Sequence, residues 1–162
     1  MDTVFLESKF FPASQKNNST MFKPRMRTSE NATTRKLRSN YYKIVKNEQR
    51  KRYNINKLKD FLKLEENWNS NQAAVFDEDL INKALEIISV IPVQPDVFPT
   101  ARQSIQMEYE KENGDYLEFE IFKDHIDMLL MNKEQGEKEE QFTVRAFHKI
   151  NSRIQDFHEG NI

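Results

Sequence analysis

The stretch Ser104-Ile105-Gln106-Met107-Glu108-Tyr109-Glu110 alternates with a period of two, and the residues after it repeat the pattern. Ile105, Met107 and Tyr109 interleave with Gln106, Glu108 and Glu110. Asn113-Gly114 marks a turn, and Leu117, Phe119 and Ile121 then interleave with Glu118 and Glu120. Apolar residues at every second position set one strand face against a core and the other toward solvent. Asn-Gly between two such runs is a strong hairpin signal. After Lys123-Asp124, Ile126, Met128 and Leu130 alternate with His125 and Asp127, which gives a third strand. Beyond a charged turn expected over Lys133 to Glu140, Phe142 to Val144 reads as a fourth.

Upstream of the hairpin the period is helical. Asp77 is placed to cap a helix with acidic residues Glu78 and Asp79 in its first turn and a stripe of Leu80, Ala84, Leu85, Ile87, Ile88 and Ile91. Pro92 ends that helix, and Pro95 and Pro99 mark an extended connection. Ser39 to Leu64 reads as one or two helices with a break near Tyr53 to Asn56, and Phe147, Ile150, Ile154 and Phe157 predict a last helix. Trp68, the only tryptophan, is expected to anchor the loop before Asp77 to the core. The expected class is α+β: a three- to four-stranded antiparallel sheet with helices on one face, plus an extended basic N-terminal arm. Residues 1–38 form the arm in this reading and 39–162 a single domain.

At 162 residues the chain has room for one domain of ordinary size. With no Cys it has no disulfide framework, zinc ribbon or thiol nucleophile, and three Gly leave no phosphate-cradling loop. The start carries an acid where a secretory leader needs a cation, and no window approaches about 18 consecutive apolar residues, so the expected location is cytoplasmic. The formal net charge of −1 conceals a division. Residues 1–60 hold 15 Lys plus Arg against 5 Asp plus Glu, a formal +10, and the remaining 102 residues hold 10 against 21, a formal −11.

The run Glu66-Asn67-Trp68-Asn69 with Ala74, a helix ending at Pro92, then Pro99-Thr100 and Ile105-Gln106-Met107-Glu108-Tyr109-Glu110, resembles a group of small uncharacterised bacterial and mobile-element proteins. Their pattern is Glu-Asn-Trp-Asp-Gly-Tyr-Gly-Ala followed by Pro-Thr-x-x-Gly-Gly-Ile-x-Leu-Glu-Trp, and the similarity covers roughly residues 58 to 131. Ser70 and Gln72 replace the glycines of the first motif, and Arg102-Gln103-Ser104 replaces the glycine pair of the second. A backbone with positive φ is therefore not expected there from the residues present. The resemblance implies a mobile-element or phage setting and no particular reaction.

Paired carboxylates on the outer strand face, Glu108, Glu110, Glu118, Glu120 and Asp127, are the only candidates for acid/base or metal-assisted hydrolysis. Such chemistry needs a cleft that separates their pKa values, and the sequence builds none over this face. No catalytic residue is assigned. His125 and Asp127 lie two apart on one strand without a third ligand, and His148 and His158 fall on the last helix, so neither metal nor cofactor is expected. Acids opposite one another across strands repel, and five on one face call for cations from elsewhere. One source is the basic region, with Arg25, Arg27, Arg35, Lys36, Arg38, Lys43, Arg50, Lys51 and Arg52. Its arm offers Phe10, Phe11 and Phe22 as anchors. Another is an arginine-rich partner groove, against which the acids mimic the charge of a phosphate backbone. The expectation is a non-enzymatic interaction protein that binds, and in the stronger form inhibits, a macromolecular, nucleic-acid-handling partner, with no membrane involved. The alternatives are a nucleic-acid-binding module using residues 25–59 and a small hydrolase using the sheet carboxylates.

Overall fold

The structure is a computed structural model, and it describes residues 31–162. Arg25, Arg27 and the anchors Phe10, Phe11 and Phe22 lie outside the described residues, as does most of the expected arm. The element order is α1 (Ala32–Phe61), α2 (Glu78–Val90), β1 (Asp96–Pro99), β2 (Ile105–Glu110), β3 (Tyr116–Ile121), β4 (His125–Asn132), β5 (Gly136–Thr143) and α3 (Phe147–Glu159). The class is α+β, as expected, but the antiparallel sheet has five strands rather than three to four. They form a simple meander in the order β1-β2-β3-β4-β5.

Period-two alternation places Val97, Ile105, Met107, Tyr109, Leu117, Phe119, Ile121, Ile126, Met128, Leu130 and Phe142 on one buried face. The helices cover that face. Leu80, Ile81, Ala84, Ile87 and Ile88 of α2, Ile150, Ile154 and Phe157 of α3, and Leu58 and Phe61 of α1 join the strand residues in a single apolar cluster. Burying a side chain of this size contributes on the order of 1.5–3 kcal/mol, so this cluster holds the outer sheet face in place. Trp68 packs at its edge, 5.9 Å from the Phe76 ring, and its indole N–H donates to the Ala74 carbonyl at 3.2 Å, in line with its expected anchoring role.

Several boundaries differ from expectation. Helix α1 begins at Ala32, inside the expected arm, because Asn31 caps it by accepting from the Thr34 N–H at 2.8 Å. No break occurs near Tyr53 to Asn56. Asn54 is buried there, and its amide donates to the Pro95 carbonyl at 3.0 Å, which turns a poor helix former into a clasp. The connection between Pro95 and Pro99 contains β1, an edge strand paired with β2. Most of the segment expected as a charged turn belongs to β5, whose inward Glu140 meets Arg153 of α3 at 2.8 Å.

The Asn-rich loop before α2 is wired by its own side chains. The Asn69 carbonyl oxygen accepts from the N–H groups of Asn71 at 2.8 Å and Ala73 at 3.2 Å, and that of Asn67 accepts from Gln72 at 2.7 Å. These bonds hold Asn67, Ser70 and Gln72 at φ of 64°, 58° and 61°. Gln103 has φ of 57° in the turn before β2. Ser70, Gln72 and Gln103 thus adopt the left-handed backbone that their residue types argue against.

Candidate functional site

The outward face of the sheet follows from register. Glu108 on β2 stands directly opposite Glu118 on β3, and Glu120 on β3 opposite Asp127 on β4. Directly opposed residues hold their Cβ atoms about 4.5–5.5 Å apart, so each couple is a like-charge contact. Glu110 lies on the same face at the strand end, opposite Tyr116. The face is hollowed into a concavity of about 550 Å³, lined in part by Glu118, Glu120, Asp127, Leu129, Glu139 and Gln141, with Arg102 at its side.

Each central acid has a different local solution. Glu120 is the buried one, at 5% exposure. Its carboxylate is ion-paired with the Arg102 guanidinium and accepts from the Ser104 hydroxyl, with the Thr100 hydroxyl at 3.5 Å. Arg102 also lies 5.7 Å above the Phe122 ring, which stacks on His125 at 4.4 Å. Glu118 instead meets neutral donors, the Gln106 amide at 2.7 Å and the Tyr116 hydroxyl at 2.6 Å. Burial, together with the Glu118 hydrogen bond and the Glu118 and Glu108 charges, pushes the Tyr116 phenol well above its ordinary pKa, so it stays a donor. Asp127 accepts from the Gln141 amide at 2.8 Å, with a His125 ring nitrogen at 3.6 Å. Among the described residues, no ion pair or side-chain hydrogen bond engages Glu108 or Glu110. Neutral donors steady an acid's geometry but leave its charge in place, so the face remains strongly negative.

No protein family, curated protein or solved structure matches the chain. Its chemistry therefore has to be argued from the residues in place. Among the described residues, no group of three or more His, Cys, Asp or Glu could hold a metal ion. His125 is turned partly to Asp124, at 2.7 Å, rather than gathered with further ligands. No helix among them is long and apolar enough to cross a membrane.

The basic residues divide between two halves of α1. Arg50 donates to the Pro95 carbonyl at 3.3 Å and pairs with Asp96, and the Lys51 ammonium reaches the Ser89 carbonyl. These two clamp the helix to the body. Arg35, Lys36, Arg38, Lys43 and Arg52 are exposed. Sequence reasoning brought together the central acids correctly but missed Arg102, Ser104 and Thr100. Their one legible trace was the polar insertion at Arg102-Gln103-Ser104 before a strand.

Proposed function

We propose that this chain is a non-enzymatic interaction protein that presents its outward sheet face to a cationic surface of a macromolecular, nucleic-acid-handling partner. The observation that carries the reading is the register itself: the outward face sets Asp96 opposite Glu108, Glu108 opposite Glu118 and Glu120 opposite Asp127, with Arg50 pairing Asp96 at the β1 edge and Arg102 pairing Glu120 beside the concavity that Glu118, Glu120 and Asp127 line. Like-charge couples cost on the order of a few tenths of a kcal/mol each, a cost that an incoming cationic surface would relieve at Glu108, Glu118 and Asp127, whereas the buried Glu120 is already paired with Arg102. Strand rows repeat about every 4.8 Å, so the acids form a dense negative array, comparable to the charge of a phosphate backbone that a basic groove normally holds. Occupying such a groove would inhibit the partner. The left-handed Ser70, Gln72 and Gln103 fall where the resembling mobile-element family has glycine, which supports a shared backbone path and, with it, a mobile-element or phage setting for this protein.

Affinity capture from native host extract, with and without nuclease, tests the reading when the chain is compared with a Glu108→Gln/Glu118→Gln/Asp127→Asn variant. A basic protein should be retained by the unaltered chain after nuclease treatment and lost by the variant. Equal retention by both would remove the sheet face from the function.

A further inference from the structure

Helix α1 is 30 residues, about 45 Å long, and only its second half meets the body. From Asn31 to Ile44 every residue is exposed, including Leu37 at 65%, Tyr41 at 64% and Tyr42 at 56%. The first contacts with the core side begin at Asn47, which donates to the Pro92 carbonyl at 3.1 Å. Between Asn31 and Asn47 stand Arg35, Lys36, Arg38, Lys43 and Lys46, and no Asp or Glu. At about 100° per residue these five span an arc of roughly 160°. Tyr42 sits inside that arc, and with Arg35, Arg38, Ser39, Lys43 and Lys46 it lines one shallow groove. The Arg38 guanidinium lies over the Tyr42 ring at 5.6 Å. Leu37, Tyr41 and Ile44 fall on the opposite side.

We propose that the projecting half of α1, residues 32–46, is a second binding site, for the phosphodiester backbone of nucleic acid. Lys43 and Lys46, which engage no acid among the described residues, neutralise phosphates, and Tyr42 offers its exposed ring for stacking. Charge complementarity selects an anionic occupant. A second copy docked helix to helix would bring ten cations together with no acid between them. An acidic protein surface would supply charge but leave the tyrosine within the arc without a use.

Fluorescence anisotropy of the full chain with labelled single-stranded and duplex oligonucleotides, between about 50 and 200 mM salt, tests the proposal. Affinity should fall linearly on a log-log plot, and Lys43→Gln/Lys46→Gln should weaken it on both probes and flatten the slope by about 1 for each lysine removed. Tyr42→Ala should lower single-strand affinity about fivefold or more and leave the duplex nearly unchanged. The sheet variant with Glu108, Glu118 and Asp127 neutralised should bind as the unaltered chain does, so this site and the acidic face fail or stand separately. The proposal is overturned by no complex at the lowest salt, by a slope unchanged in the double lysine variant, or by equal binding of polyglutamate. Capture by anionic phosphatidylserine vesicles without oligonucleotide binding would also overturn it.

Discussion

Helix α1 and the β2 to β5 stretch carry charges of equal size and opposite sign, held in different ways. The helix has ten Lys plus Arg against two Asp plus Glu, and residues 105–143 have four against twelve, giving +8 and −8. On the helix the surface is convex and exposed, so repulsion among its cations is screened by water, and the local bonds that Arg38 makes to Tyr42 and Arg50 to Asp96 are not forced by a facing like charge. On the sheet register sets acids face to face, and all but Glu108 of the opposed central acids have local partners: Arg102, Ser104 and Thr100 for Glu120, Gln106 and Tyr116 for Glu118, Gln141 for Asp127. The same formal charge is a loose attribute of one region and a structural commitment of the other.

The largest expected break in this contrast is at Arg102. Arg102→Ala leaves the buried Glu120 carboxylate without its cation and should lower stability by about 1–3 kcal/mol, read as a shift in urea midpoint. Adding Glu120→Gln should recover most of the loss, whereas a midpoint that does not move in the single variant would mean that the two hydroxyls suffice. A smaller effect, of opposite sign, is expected one residue on. Gln103→Gly relieves a left-handed conformation at a position whose two neighbours both serve Glu120. It should raise stability by about 0.5–1 kcal/mol, the gain of roughly 1–2 from the backbone less the glycine's extra unfolded freedom. A loss there would show that the Gln103 side chain itself supports the face.

The smallest effect is a pH dependence that belongs to neither region. Partial desolvation against the Tyr109 and Phe157 rings, and secondarily the Lys111 charge, hold the otherwise exposed His158 below its ordinary pKa near 6.5. Protonation is therefore disfavoured in the folded state. This contribution to stability is complete above about pH 6.5 and is lost as pH falls below it. His158→Gln should flatten that stretch of the stability profile. A profile unchanged by the substitution would assign the slope elsewhere. Asp77, lowered by its bond to Lys123, and Asp115, lowered by its bond to Asn113, act in a separate window, losing their contribution as pH falls below about 3.8.

What was legible in the sequence is what a single face can encode. Strands β2 to β4 and helices α2 and α3 each bury one clean stripe, so Met107, Phe119, Ile87 or Ile154 declare their side. Strand β5 was hidden because it is an edge whose inward positions include Lys138 and Glu140, and the pairing that makes Glu140 acceptable comes from Arg153 on another element. Strand β1 was hidden by its flanking prolines, which an edge strand tolerates. Continuity of α1 through Asn54 depends on a carbonyl 41 residues away. The acids of the site could be placed from alternation alone, but their compensating groups could not. Ser104 and Thr100 precede the strand, and only the β2–β3 register brings them beside Glu120.

The meander also orders the chain in time. Every strand pairs with its neighbour in sequence, so the sheet closes through short loops and its contact order is low, a topology associated with fast folding. The longer-range closures are the docking of α1, through Asn47 to Gln94 and Asn54 to Pro95, and of α3, whose His158 meets Tyr109 of β2, each against a sheet that can already exist. Residues 32–44 are exposed and contribute nothing to the buried apolar cluster. The charges of that half of the helix are therefore set apart from the packing that holds the rest of the fold together.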